Sequence, residues 1–517
     1  MASRATILRA ETDIVVSGGQ TRGVRAPESI GSLVSLEAGR SIELRPAMRS
    51  IRHSEGDEQA FASLASKPSM IVAQTVRLRA GQDLTSGGAL VKAGETIEAS
   101  ATRHIDIGPA FEERTTEVAA AAQSPQSHWR ESRMTAQPSR FEAGRVVQMT
   151  AGQELTFSGS HAEGGLLDLR GQGVVIDAAL TEQRIDVQTV NGQQVQHIDM
   201  HRKDAASSTL IGGTGATIRA ESDLQITGSE IKVMNGQGHL SAGRDLRLRG
   251  AVTNRQEVAN NKSAGWSWLS HGETDLSTCR SETGVSPAGL EGSAISLKAG
   301  RDLSISASTV SGYQSLKLEA GKDLTVGGEQ HSHSEHGSTK SERRTGLIRN
   351  FGINGLLGRR DNEEKTESST HVVVPTTVGS IEGDVSIDAK GTYRQAGGDL
   401  LANGDVTVHA RDIELVAAEG SNRKRQNFDF QQYGVTLGPN QKGVAGSLSG
   451  AFNQGWFAST AQSRHAQILR ALSGLRLAYR GYSQLPAARD HAYEVASQVP
   501  VLLRGKSVHS FARFGRR

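Results

Sequence analysis

Ile295-Ser296-Leu297-Lys298-Ala299-Gly300-Arg301-Asp302-Leu303-Ser304-Ile305 is followed, 21 residues later, by Leu316-Lys317-Leu318-Glu319-Ala320-Gly321-Lys322-Asp323-Leu324-Thr325-Val326. In both stretches apolar and polar side chains alternate, stop at Ala-Gly, and resume the alternation at Leu. That is the pattern of two short strands joined by a tight corner. The same 21-residue step separates Gly383-Asp384-Val385-Ser386-Ile387-Asp388-Ala389 from Gly404-Asp405-Val406-Thr407-Val408-His409-Ala410. A period near 20 residues built from alternating strands belongs to β-solenoids, in which each coil buries against its neighbours a face it cannot bury alone.

The cassette Ala-Gly-x-Asp/Glu-Leu runs through the chain, at Ala80-Gly81-Gln82-Asp83-Leu84, Ala151-Gly152-Gln153-Glu154-Leu155 and Ala242-Gly243-Arg244-Asp245-Leu246 as well as at the two sites above. Looser forms stand at Ala38-Gly39-Arg40-Ser41-Ile42 and Ala93-Gly94-Glu95-Thr96-Ile97, and Arg9-Ala10-Glu11-Thr12-Asp13-Ile14 is echoed by Arg219-Ala220-Glu221-Ser222-Asp223-Leu224. Each cassette reads as a corner: Gly takes the turn dihedral, the polar pair faces water, and Leu restores the inward-facing period of two. Composition agrees. Only 4% of residues are aromatic and 36% hydrophobic while Gly numbers 59, too lean for several globular cores but suited to a narrow column of small aliphatic side chains.

Polar inserts at about 46–68, 101–140, 180–215, 252–290 and 329–377 interrupt the cassettes and read as loops extruded from the column. About 15 to 18 coils over residues 1–420 would make a rod on the order of 70–90 Å long. The cassettes stop near residue 420. Residues 421–460 read as a Gly/Ser/Gln-rich boundary, and 461–517 as a basic, partly helical tail in which Ile468, Leu472, Leu475 and Tyr479 share one helical face. Residues 464–517 carry ten Lys/Arg and two Asp/Glu, a local charge of +8 in a chain of net +3. A solvated terminus accounts for this charge, since no nucleic-acid motif accompanies it.

The cassettes, the 21-residue step and the inserts together resemble the haemagglutinin repeats of filamentous haemagglutinins and related two-partner-secreted exoproteins, over roughly residues 1–480. The insert from Ser341-Glu342-Arg343-Arg344 through Gly355-Leu356-Leu357-Gly358 to Thr366-Glu367-Ser368-Ser369-Thr370-His371 is similar to one found between repeat blocks in that family. Gln462-Ser463-Arg464 through Leu475-Arg476-Leu477-Ala478-Tyr479-Arg480-Gly481-Tyr482 resembles the helical segment that follows its repeats. The resemblance implies an all-β, right-handed parallel β-helix with a short helical C-terminal tail, secreted or displayed at the Gram-negative outer membrane. It implies an adhesin or the stalk of a contact-dependent toxin-delivery (contact-dependent inhibition) protein. The implied partners are a receptor or glycan on a host or neighbouring cell, and an outer-membrane transporter for the full-length protein. No signal peptide, Asn-Pro-Asn secretion domain, Val-Glu-Asn-Asn junction or apolar membrane span is read in these residues, so the chain is expected to be a central-to-C-terminal piece of a larger exoprotein or the product of a truncated gene.

The chain is expected to be non-enzymatic, with no cofactor, metal or specific nucleic-acid partner. Asp302 with Asp323, and Asp384 with Asp405, would stack on adjacent coils, but they recur at the cassette's own turn position, whereas a catalytic pair should be exceptional within a repeat. His331-Ser332-His333-Ser334-Glu335-His336 concentrates imidazoles in what reads as a solvated loop. Trp266 and Trp268 are the candidate receptor contacts, with packing of the insert onto the rod as the plainer reading. Cys279, the single cysteine, rules out an intramolecular disulfide. Two other readings stay open: a carbohydrate-active β-helix enzyme, and a basic tail acting as a pretoxin or nucleic-acid-binding remnant.

Overall fold

The computed structural model describes residues 5–22, 32–55, 58–119, 127–267, 270–345 and 355–437. The described residues all fall within one compact unit. The helical tail expected over 461–517 lies outside the described residues. All the regular structure described is β, in a 26-stranded parallel sheet and an 11-stranded antiparallel one.

The parallel sheet is wound into a column, and its coil can be followed from residue 90. Residues 90–93 pair with 70–73, the chain turns at Gly94 and Glu95, and residues 96–101 pair with 75–80. After the cassette corner, residues 105–108 pair with Leu84–Gly87. Each coil therefore contributes to three ladders, a, b and c, every one parallel to the coil beneath it. Ladder c shows the coil number through its strands Ile14–Ser17, Ile42–Arg45, Leu84–Gly87, Ile105–Gly108, Glu154–Ser158, Gly173–Asp177, Leu224–Thr227, Leu246–Arg249, Leu303–Ser306, Leu324–Gly327, and the segments 392–396 and 412–416. The described residues form twelve coils, against the expected 15 to 18, and the column they make is about 55 Å long at the usual strand spacing of ~4.8 Å. The difference arises because the inserts consume residues that a uniform period would assign to coils.

The alternation read from the sequence sets the core. Leu36, Leu78, Leu169, Ile218, Leu240, Leu297, Leu318 and Ile387 occupy one inward level of ladder b and are completely buried. Ala38, Ala80, Ala101, Ala151, Ala220, Ala242, Ala299, Ala320 and Ala389 close that ladder where the coil narrows into the corner. Phe141, Phe157 and Tyr393 are among the largest buried side chains, and burial pushes the Tyr393 phenol up to about 12.

The cassette glycine is required for a different reason from the one expected. Gly81, Gly243, Gly300 and Gly321 do not take left-handed dihedrals. What they permit is close stacking. A Cβ on Gly81 would sit 2.0 Å from the Gly39 carbonyl oxygen, one on Gly300 2.1 Å from that of Gly243, and one on Gly321 2.0 Å from that of Gly300. Their N–H groups donate to the coil below, Gly300 to the Ala242 oxygen at 2.9 Å and Gly321 to the Ala299 oxygen at 3.0 Å.

Candidate contact surface

The inserts are not extruded loops. They are antiparallel hairpins, Ala47–Glu55 with Glu58–Lys67, Ala110–Ala119 with His128–Gln137, Ala179–Asn191 with Gln194–Ala206, Ala251–Ser267 with Ser270–Ser286, and Glu329–Thr345 with Gly355–Val374. A further strand, Ser421–Leu437, starts within the stretch read from sequence as a boundary and pairs with Gly355–Val374. Each hairpin leaves the column after ladder c of an even-numbered coil. Odd-numbered coils close the same corner with a left-handed residue: Gly18, Gly88, Gly159, Gly228, Ala307 and Gly397. A Cβ on Gly18, Gly88, Gly159 or Gly228 would lie within 2.6 Å of the Cβ of Ala47, Ala110, Ala179 or Ala251, the alanine at the root of the next hairpin.

The alternation has a geometric cause. A hairpin is two strands wide, about 9.6 Å at ~4.8 Å per strand, and two coils rise by the same amount. Hairpins issuing from every second coil therefore arrive in hydrogen-bonding position, and each return strand pairs with the outgoing strand of the next hairpin. The result is one antiparallel sheet, a wing, running alongside the column. Apart from Ala110, Ala179 and Ala251 at its root, the wing adds no side chain to the buried apolar set among the described residues. Its side-chain pairs are partly exposed, such as Arg130 with Glu117 at 3.0 Å and Lys262 with Asp275 at 3.4 Å, and each is worth only ~0–1 kcal/mol. The backbone ladder holds the wing together.

The candidate residues of the inserts fall on this wing. His331, His333 and His336 lie in a strand, where alternation sends His331 and His333 to one face and His336 to the other. His336 is directly opposite Cys279, and on its other side Glu367. Among the described residues no group of three or more His, Cys, Asp or Glu is arranged to hold a metal ion. The backbone of Trp266 pairs with His271 beside the turn of the fourth hairpin, and Trp268 lies outside the described residues. Among the described residues no helix is long and apolar enough to cross a membrane.

The cassette carboxylates tie coil to coil. Asp245, its side chain only 3% exposed, accepts from Arg301 of the next coil through Nε at 2.8 Å and Nη2 at 2.5 Å, and from Arg247 at 2.9 Å. Arg40 pairs likewise with Asp13, Arg103 with Asp83 and Arg244 with Asp223. Asp302 accepts from the Asp323 N–H at 3.4 Å, Asp323 from the Thr392 N–H at 2.9 Å, and Asp384 from the Asp405 N–H at 2.8 Å. The Arg301 guanidinium holds the Asp245 carboxyl below the usual carboxylate range. Because the folded value lies below the unfolded one, this contribution is present above about pH 4 and is lost as pH falls through the folded value. Asp245→Ala is expected to cost about 1.5–3 kcal/mol at pH 7 and less as pH falls below about 4, read from urea midpoints along the pH series.

Sequence reading missed a column of buried hydroxyls where ladder c passes to ladder a. Ser69, Ser139, Ser160, Ser208, Ser229, Ser308 and Thr376 are buried there, and they satisfy backbone carbonyls, Ser139 that of Gly108 at 2.6 Å and Ser208 that of Asp177 at 2.7 Å. Proline was the available signal. Pro46, Pro109, Pro68, Pro138, Pro287 and Pro375 stand at hairpin roots, where a residue without an N–H ends a ladder.

A family model described as Hemagglutinin repeat matches residues 189–272, 269–343 and 357–471, more than half of the chain. The chain belongs to the hemagglutinin-repeat family. The first two matches run from one hairpin tip to the next, so the hemagglutinin repeat corresponds here to two coils flanked by half-hairpins. The chain is similar to "tRNA nuclease CdiA-2" of Burkholderia pseudomallei (strain 1026b), 26% identical over 324 residues, which are 61% of this chain and 10% of that protein. It is also similar to "Toxin CdiA" of Yersinia pestis, 27% identical over 193 residues, 37% of this chain and 6% of that one. A third relative, "Deoxyribonuclease CdiA" of Dickeya dadantii (strain 3937), is 24% identical over 292 residues, 56% of this chain and 8% of that one. The chain thus spans from about a tenth to a quarter of the relatives that it matches over 61% of its own length. No solved structure matches it.

Proposed function

We propose that this chain is a non-catalytic stalk and contact segment of a secreted or surface-displayed contact-dependent toxin-delivery exoprotein, with the wing as its contact face. The supporting observation is the division of labour in the two-coil repeat. Its recurrent carboxylates are engaged in stacking the column, while the residues not needed for the core are spread over a broad, solvated sheet. The nuclease and toxin activities for which the relatives are named are proposed to reside outside the matched segment. A receptor or glycan on a host or neighbouring cell is the proposed partner, with Trp266, beside the turn of the fourth hairpin, and Trp268 as contacts, and an outer-membrane two-partner-secretion transporter exports the full-length protein.

The experiment is protease accessibility. An epitope between Thr345 and Gly355, where the fifth hairpin reverses, is carried in the native gene context in the source bacterium. Removal of the epitope by protease added to intact cells is the expected outcome. Full protection with stable intracellular protein would sink this reading.

A further inference from the structure

The wing carries its apolar side chains unevenly. Within Ala179–Asn191 the order Ile185-Asp186-Val187, and within Gln194–Ala206 the order Ile198-Asp199-Met200, put aliphatic groups on one face and carboxylates on the other. Register aligns Val118, Trp129, Val187 and Ile198 as directly opposed neighbours on four consecutive strands, and Ile185 is opposite Met200 one row nearer the root. Strict alternation of this kind marks a sheet face that something covers.

The size of the patch limits what that is. One apolar row across four strands, continued only by Ile185 and Met200 in the second row where Thr116 and Glu131 complete it, covers less than about 15 Å by 13 Å, well short of the ~800 Å² per partner of a stable protein interface. The groups beside it are polar and suited to a ring-shaped ligand. Glu131 accepts from the Gln183 amide at 2.7 Å in the row next to Trp129. One row further, Arg114 and Arg133 are exposed and directly opposite each other, with no acidic group in salt-bridge distance of either among the described residues. Like charges directly opposed across a sheet are unfavourable unless an anion lies over them.

We infer that this face is a binding site for an acidic glycan. A sugar ring lays its apolar C–H face on Trp129 between Val118 and Val187. Its hydroxyls meet Glu131 and Gln183, and a carboxylate or sulfate on the same or the next residue is taken by the Arg114 and Arg133 guanidiniums. This deepens the proposal that the wing is the contact face and rests on it. It is measured on purified protein, so failure of surface display and failure of glycan binding are separate results.

The test is calorimetric titration of the full chain with hyaluronan, chondroitin sulfate and galacturonate hexasaccharides, and with neutral maltohexaose. At least one acidic hexasaccharide is expected to bind, and maltohexaose at least about tenfold more weakly. Trp129→Ala and Arg133→Glu should each weaken the acidic ligand about tenfold or more, while Met234→Ala, an exposed residue of the column, stays within about twofold. Unchanged thermal melts of the variants would show that folding is intact; should Trp129→Ala melt early, Arg133→Glu carries the test alone. Absence of binding by all three acidic hexasaccharides overturns the inference. So does binding that survives in both variants, which would assign it to diffuse charge such as that of the basic tail.

Discussion

Gly300→Ala is expected to destabilise the column by about 3 kcal/mol or more, the upper end of what overpacking costs. The added methyl would meet the Gly243 carbonyl oxygen at 2.1 Å, and that oxygen is fixed backbone of the coil below, not the end of a movable side chain. The two coils can make room only by separating, which also weakens the hydrogen bond from the Gly300 N–H to the Ala242 oxygen. Gly192→Ala is the matched control. Gly192 sits in the turn of the third hairpin at a φ of 58°, and a methyl group there would meet nothing within 4 Å, so only the left-handed dihedral penalty of roughly 1–2 kcal/mol applies. Urea midpoints of the two variants separate stacking from dihedral preference: equal, small shifts would mean that the cassette glycine is not a stacking residue.

Leu318→Ala should cost about 2–5 kcal/mol. Leu318 is completely buried between Leu297 below and Ile387 above, and neither neighbour can close the void without breaking its own rung. In a stacked array a weakened rung is felt as a lost interface between two blocks of coils. Amide exchange should therefore rise several-fold in the coils flanking Leu318 before it rises elsewhere. Leu401→Ala, in the last described coil where the side chain is 58% exposed, should stay within about 0.5 kcal/mol.

The column was legible because its chemistry is local. Alternation in Ile295 to Ile305 gives strand and face, and the recurrence at Leu316 to Val326 gives the stack, whose register pairs Ile295 with Leu316 and Leu297 with Leu318. The role of Gly300 was not legible, since the atom it avoids belongs to Gly243 on another coil and its own dihedrals are ordinary. The wing was misread for a related reason. Its strands are polar on most positions, because a single layer has water on both sides, and hydrophobic periodicity is silent there. Asn191-Gly192, a hairpin dipeptide, and the prolines at 68, 138, 287 and 375 did mark hairpin turns and roots, but only the match between two coils and two strand widths shows that the hairpins join. The same step moved the His331 to His336 segment from a loop to a strand and so divided its imidazoles between two faces.

Joining of the hairpins is tested most directly by a cross-link. Cys279 of the fourth hairpin is directly opposite His336 of the fifth, and directly opposed residues of antiparallel strands have Cα atoms about 4.5–5.5 Å apart, within disulfide reach. Because Cys279 is the single cysteine, His336→Cys creates one possible intramolecular pair. Mild oxidation should convert the variant to a monomer 2 Da lighter with no free thiol, whereas Glu335→Cys, one residue away and on the opposite face, keeps both thiols. Two free thiols in the His336→Cys protein after oxidation would contradict the stacked wing.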